Sequence, residues 1–403
     1  MKEIVLNGVT IDLWTREMDS LAWQQITNIS KLPFIHHHVS LMADGHGGSG
    51  VPIGCVLPVK GVVIPNAIGT DCGCGLRAVK SDIKVADITT DVLRKSIMRG
   101  IRKQIPVGDF AHKVNQSVDY LPQEWNMENL PTLLSNNGIK KILRQMGTLG
   151  GGNHFIELQK DEEGYLWVMI HSGSRGLGGK LHQEYNQIAK NLNRKYFSVV
   201  PEEADLAFLP QSSAEFRMFW YEMNYCLEWA KCNRKLMMDR IIDVIRESFP
   251  DATFDEPIDI HHNYASIEEH YGKQCIVHRK GAAPAREGEI GIIPGSMGTC
   301  SYIVKGLGKE ESFQSSSHGA GRAMSRGEAV ATLDMKHEIE MLENQNIVQS
   351  LICTNSTLHN TMTANPIRNI DSLFLFFFTV LLLIYLIFLT LFIYYNFIMN
   401  FFQ

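Results

Sequence analysis

The sequence predicts an α+β fold, a single intertwined domain of mixed sheets and helices. Three observations carry this: short β-branched runs punctuated by Gly and Pro over the first 90 residues, one long amphipathic helix in the middle, and strand-and-loop patterns that return after it. In GCVLPVKGVVIPNAIGTDCGCGLRAV the apolar runs have strand length and the glycines mark tight turns. Helical spacing follows over Asp91–Gln104 and over 138–146. The run YLWVMI at 165–170 reads as a strand that ends on His171. The best-defined helix starts at Ser212, where Ser-x-x-Glu215 forms a capping box before Phe216, Phe219, Trp220, Met223, Leu227 and Ala230. It ends near Glu247, because Phe249-Pro250 must stop it. Beyond it, IDIHHNYASIEEHYG, QCIVHRKGA, GEIGIIPGSMGTCSYIVKG and SFQSSSHGAGRAMSR alternate strands with glycine turns, and no fixed-period repeat is present. The expected organisation is a folded body over 1–348, a linker over 349–371 and a hydrophobic tail over 372–403.

The net charge is −5 and hydrophobic residues make up 45% of the chain, so a histone-like or ribosomal role is excluded and any nucleic-acid contact must use a local basic surface. The N-terminal segment has no apolar signal region, and Cys55, Cys72, Cys74, Cys226, Cys232, Cys275, Cys300 and Cys353 show no paired spacing. Both point to a cytoplasmic, reducing location with free or metal-bound thiols. The tail is different in kind: residues 372–403 contain no Asp, Glu, Lys or Arg, and 9 of the 19 Phe. Its uncharged stretch from 373 to 395 has the length of a helix crossing a ~30 Å hydrocarbon core. It reads either as a membrane anchor with the body on the cytoplasmic side or, the favoured reading, as the product of a frameshift in AT-rich DNA.

Chemistry-bearing residues sit on glycine-rich turns. Asp71-Cys72-Gly73-Cys74-Gly75 follows an apolar strand and reads either as a site for one or two divalent metals or as a turn with buried thiols. Gly150-Gly151-Gly152-Asn153-His154-Phe155-Ile156-Glu157 leaves the backbone open to a phosphate or base, with Glu157 able to orient a ligand. His171 lies at a strand mouth near Arg175, whose guanidinium can fork onto phosphate oxygens. His261-His262-Asn263 repeats the pairing of His with Asn, and His318 stands among residues small enough to admit a bulky partner, which suits a nucleophile. An Asp, a Cys and three His suit Mn²⁺ or Zn²⁺.

In this order the clusters resemble the RtcB family of RNA-splicing ligases. The matching stretches are Asp44-Gly45-His46 within LMADGHGGSG, then IGTDCGCG, GTLGGGNHFIE, HSGSRGLG, HHNY, RKGA, IIPGSMGTCSYIVKG and SSSHGAGRAMSR, from about residue 30 to 330, with a weaker likeness over 325–347. The resemblance implies a GTP- and Mn²⁺-dependent ligase, acting in tRNA splicing or RNA repair. It would join RNA ending in a 3′-phosphate or 2′,3′-cyclic phosphate to RNA beginning with a 5′-hydroxyl, with an activating helper protein as a further partner. It implies guanylylation of His318 and two Mn²⁺ ions held by Asp71, Cys74, His154, His171 and His262, with Cys74 bridging. Guanylate contacts would fall on Asn153, His154, Phe155, Ile156, Glu157, His262, Asn263, Pro294, Gly295, Ser296, Met297, Ser301, His318, Gly319, Ala320 and Gly321. Arg175, Arg279, Lys280 and Arg322 are the candidates for RNA phosphates.

The sequence departs from the family pattern at three places. Ala43 stands where a proline is usual, Cys72 adds a thiol able to compete for metal, and from about Gln349 the family's closing stretch with its guanylate-contacting lysine is absent. Two alternatives stand beside the ligase reading: a ligation-defective homologue that binds RNA and metal, and a metal-dependent phosphodiesterase that only opens the cyclic phosphate.

Overall fold

Local turn chemistry starts the first sheet. Strands β1 (Lys2–Leu6) and β2 (Val9–Leu13) pair antiparallel about Asn7-Gly8, both at positive φ (50° and 80°), the geometry an Asn-Gly hairpin favours. Strand β3 (His38–His46) runs parallel to β2, so a crossover is needed, and helix α1 (Ser20–Ile29) supplies it, capped by the Asp19 side chain on the Ala22 amide. Strand β4 (Ile53–Val59) pairs with β3, and the short β5 (Val62–Val63) follows.

Strand β6 (Gly75–Lys84) opens a second sheet, continued by β7 (Phe155–Lys160) and β8 (Tyr165–Ser172). Between them lie α2 (Asp91–Gln104) and α3 (Gly138–Gln145), both where the spacing placed them. Then come α4 (Leu177–Lys195), β9 (Leu209–Pro210) paired with β5, and α5 (Ala214–Arg246). After it come β10 (Ile258–His261), β11 (Asn263–His270), β12 (Lys273–Lys280), β13 (Ala282–Pro284), β14 (Ile290–Ile293), β15 (Ser301–Lys305) and β16 (Ser315–Ser317). The sheets have strand orders β1-β2-β3-β4-β12-β11 and β10-β6-β8-β7, with smaller pairs β13-β16 and β14-β15. Helix α6 (Met335–Asn344), the pair β17 (Ser350–Thr354) and β18 (Thr357–Met362), and β19 (Ile370–Leu373), parallel to β15, complete the described elements. The computed structural model describes residues 1–123, 125, 138–321, 331–344, 350–354, 357–362 and 370–373.

Helix α5 joins two hydrophobic cores. Its first half, with Phe219, Met223 and Trp229, packs with α1, α4 and the six-stranded sheet. Its second half, with Met237, Ile241 and Ile245, packs with α2 and the four-stranded sheet. The cap differs from the expectation by one residue: Ser213, not Ser212, accepts the Phe216 amide at 3.0 Å. Helix α4 was not expected, because its Leu-Gly-Gly start carries no capping side chain and Gly176 enters it at φ 86°. No helix among the described residues is long and apolar enough to cross a membrane. The tail from 374 onward lies outside those residues.

Candidate active site

Five donor side chains converge: Asp71 and Cys74 from one loop, His154 from a second, His171 from the end of β8 and His262 from the single residue between β10 and β11. Asp71 Oδ2 lies 2.8 Å from His154 Nε2, and Cys74 Sγ lies 3.4 Å from His154 Nε2 and 3.2 Å from His171 Nε2. His171 Nε2 is in turn 3.3 Å from His262 Nε2. They form two overlapping groups with metal-ligand spacing, Asp71-Cys74-His154 and Cys74-His171-His262, which share the thiol. Donor atoms so spaced are about one polyhedron edge apart for an ion bonded at ~2.0–2.3 Å.

The rings are held from behind. His154 Nδ1 donates to the Leu149 carbonyl at 3.0 Å and His171 Nδ1 to the Asn153 carbonyl at 2.9 Å, which leaves both Nε2 lone pairs facing inward. Burial, then the neighbouring His154 and His318, pushes the His171 imidazole down to about 3, and His262 is pushed well below its usual range by burial and by His318. Both rings are therefore neutral at physiological pH, the form a metal ligand needs. Burial opposes the charge on Asp71, but His154 and Cys74 outweigh it and hold the carboxyl down to about 2. Burial, then Asp71, raises the Cys74 thiol well above its usual value, so a cation is what would make it a thiolate. The donor set thus fits divalent ions.

His318 stands beside this cluster, its ring 4.8 Å from that of His262. Asp44 Oδ2 lies 2.7 Å from His318 Nδ1 and accepts the backbone amides of His318 and Gly319 at 3.1 and 3.2 Å. One carboxylate therefore fixes both the ring and the turn that carries it. Gly281, at φ 63°, leaves the room: a Cβ there would lie 2.4 Å from Ile53 and 3.0 Å from the His318 ring.

Neighbouring residues divide between site and scaffold. Gln159 Nε2 donates to Glu157 and to Ser301 Oγ, which accepts the Gly295 amide at 3.1 Å, so Glu157, Ser301 and Gly295 meet in one polar group. Ser296 closes a turn on Thr299, Met297 follows in the same loop, and Pro294 approaches Gly319. Phe155 packs its ring on His171, Asn153 and Ala320 are exposed, and Gly321 lies against Asp44. Ile156, by contrast, is a core residue at 1% exposure, and Asn263 ties the Asp71 carbonyl to the Gly281 amide.

The expected RNA-facing cations are largely internal. Arg279 is fully buried and donates to Glu268, Ser266, Ser315 Oγ and the Phe313 carbonyl. Lys280 is buried with its ammonium on the Ser49 carbonyl, and Arg175 bridges Thr148 Oγ1 and the Gly108 carbonyl. Arg322 lies outside the described residues. Cys72 points away from the donors into the first core, its Sγ 3.9 Å from the Met223 carbonyl.

Three supports escaped sequence reasoning. Besides the acceptor role of Asp44, Asn233 accepts the Gly147 and Thr148 amides and donates to the Thr148 and Gly173 carbonyls. Arg234 grips the Gly73 and Ser172 carbonyls and Asp259. Two fully buried polar residues in mid-helix, where α5 passes from one core to the other, were the available signal.

An α+β scaffold with a candidate dinuclear metal centre beside an acid-oriented histidine is the class these features define. The profile of the tRNA-splicing ligase RtcB family matches residues 25–364. The chain is 36% identical over 362 residues to the RNA-splicing ligase RtcB of Escherichia coli K12, covering 83% of this chain and 86% of that one. It is 32% identical over 393 residues to the tRNA-splicing ligase RtcB of Methanococcus maripaludis, covering 81% of each. The chain belongs to the RtcB family of RNA-splicing ligases.

Proposed function

We propose that this chain is a GTP- and Mn²⁺-dependent RNA ligase that joins RNA with a 3′-phosphate or 2′,3′-cyclic phosphate to RNA with a 5′-hydroxyl, through a guanylylated His318. The carrying observation is the 2.7 Å contact of Asp44 with His318 Nδ1, which leaves Nε2 as the attacking atom beside the donor cluster. Asp71, Cys74, His154, His171 and His262 would hold two Mn²⁺ ions, with Cys74 shared between the two groups. Bound there, the ions would neutralise phosphate charge and polarise phosphorus towards attack.

His318 Nε2 attacks the α-phosphorus of GTP, an N–P bond forms, and pyrophosphate leaves. Asp44 stabilises the positive charge that the ring gains. An oxygen of the RNA 3′-phosphate then attacks the same phosphorus and breaks the N–P bond, so GMP passes to the RNA end. The 5′-hydroxyl of the second RNA attacks the 3′-phosphorus and expels GMP; a cyclic end is first opened by water. Glu157, Ser301 and the loop Pro294 to Met297 face the guanylate on this reading, with Asn153, Phe155, Asn263 and Gly319 to Gly321 around it.

Incubation with radiolabelled GTP and Mn²⁺ tests the reading. An acid-labile GMP adduct that disappears in His318→Ala is expected; no adduct, or one that survives the substitution, overturns it.

A further inference from the structure

The acidic total conceals a concentration of basic residues on two helices. Lys95, Arg99 and Arg102 lie at i, i+4 and i+7 on α2, all exposed, with Lys103 beside them, while the opposite residues Ile97 and Ile101 are buried in the second core. Helix α3 adds exposed Lys140 and Lys141. None of these six makes an ion pair among the described residues; the one pair on α2 is Arg94 with Asp91. Unpaired cations in such a row repel one another, and only Arg102 and Lys103, in the last turn of α2, gain from the helix dipole.

The two helices are also wired to the candidate site. The segment after α2 pairs with the loop after α3: Leu149 N donates to the Pro106 carbonyl at 2.9 Å and Gly108 N to the Gly150 carbonyl at 2.7 Å. The same stretch carries the Leu149 carbonyl that holds His154 and the Gly108 carbonyl that Arg175 grips. The His112 amide donates to the Arg144 carbonyl, so the loop past α2 also lies along the end of α3. On that loop, two residues beyond Gly108, Phe110 stands 63% exposed. Its neighbour Asp109 is the acidic exception on the loop.

We propose that the α2–α3 face is the docking surface for the body of the RNA strand: its phosphates track Lys95, Arg99, Arg102 and the α3 lysines, and Phe110 stacks a base where the strand turns towards the donor cluster. This rests on the ligase reading of that cluster. Charge complementarity and an exposed aromatic between cations and site are the elements of a single-strand binding track.

The full chain and its Lys95→Glu/Arg99→Glu/Arg102→Glu variant are compared by fluorescence anisotropy with single-stranded RNA of about 30 nucleotides ending in a 3′-phosphate, across a potassium chloride titration. Affinity is expected to fall about tenfold or more at low salt, and the salt slope to become shallower by about 2, since each single-strand phosphate contact contributes ~0.7. GMP-adduct formation and the melting temperature stay at wild-type values. Phe110→Ala, a neutral change, is expected to lose about fivefold or more in affinity with the salt slope kept. RNA affinity and slope equal to wild type in both variants overturn the proposal, as does a triple variant that loses binding to phosphatidylserine vesicles but not to RNA. Anisotropy requires no guanylylation, so a chain that binds RNA through this face but forms no adduct overturns the ligase reading alone.

Discussion

Two buried polar clusters, one on β11 and β12 and the other where two loops, the end of β8 and the β10–β11 junction meet, differ in whether opposite charges face each other. Around Glu268, opposite charges meet: Arg279 reaches it at two oxygens, His270 lies 2.9 Å away, Ser266 donates to it, and Ser266 and Ser315 accept from Arg279. Around Cys74, imidazole nitrogens point at one another and at a thiol. Each cluster keeps one buried ring nitrogen without a hydrogen-bond partner among the described residues, His262 Nδ1 here and His270 Nδ1 beside Glu268. The first arrangement pairs opposite charges and stabilises the strand leading to His318. The second is a candidate metal-binding cluster, whose facing donor atoms cations would satisfy, which is how a candidate site differs from a brace.

The largest expected effect sharpens the catalytic half. Asp44→Asn keeps the shape but lets the His318 ring choose the wrong nitrogen, and adduct formation should slow by about 10²–10⁴ with little change in melting temperature. A rate within a few-fold of wild type would mean that Asp44 only holds the backbone turn. Next comes the brace: Glu268→Gln should cost about 3–5 kcal/mol in unfolding free energy, because Arg279 is left buried with half its partner gone.

The pH dependence of that brace has a fixed sign. Burial would raise the Glu268 carboxyl, but His270 and Arg279 outweigh it and hold it well below the usual carboxylate range. The unfolded chain therefore takes up its proton first, and the stabilisation, complete above about pH 5, is lost as pH falls. A thermal-melt series in acid should fall less steeply for Glu268→Gln than for wild type; parallel curves would break the comparison. Mn²⁺ at a hundredfold excess over its Kd should stabilise wild type by about 2.7 kcal/mol and leave His171→Ala unmoved, as calorimetry would read. The smallest effect is expected from Cys72→Ala, whose thiol sits in the core: Mn²⁺ affinity in a titration should match wild type.

Legibility in the sequence followed residue type more than direction. The α+β class, α2, α3, the long helix and the donor residues were readable because turn glycines, capping residues and His/Cys/Asp on those turns are local signals. Helix α4 lacked a local start signal, and the Asn233-Arg234 brace was invisible because its partners are 25 to 161 residues away in sequence. The expectation that Arg279 faces RNA treated a charge as solvent-facing, whereas β12 is buried along this stretch and its cation is neutralised internally.

By itself the sequence determined the chemistry available: which side chains can bind metal, which histidine stands among small neighbours, and which family the motifs resemble. The tertiary structure decided direction. Gly73 at φ 79° turns the backbone between Cys72 and Cys74, sending one thiol to the core and the other to the donors. Of the adjacent pair, His262 faces the donors and His261 faces Arg234. Adjacent residues on extended chain point to opposite faces, and which face is the site depends on strand pairing and helix packing set by residues far along the chain.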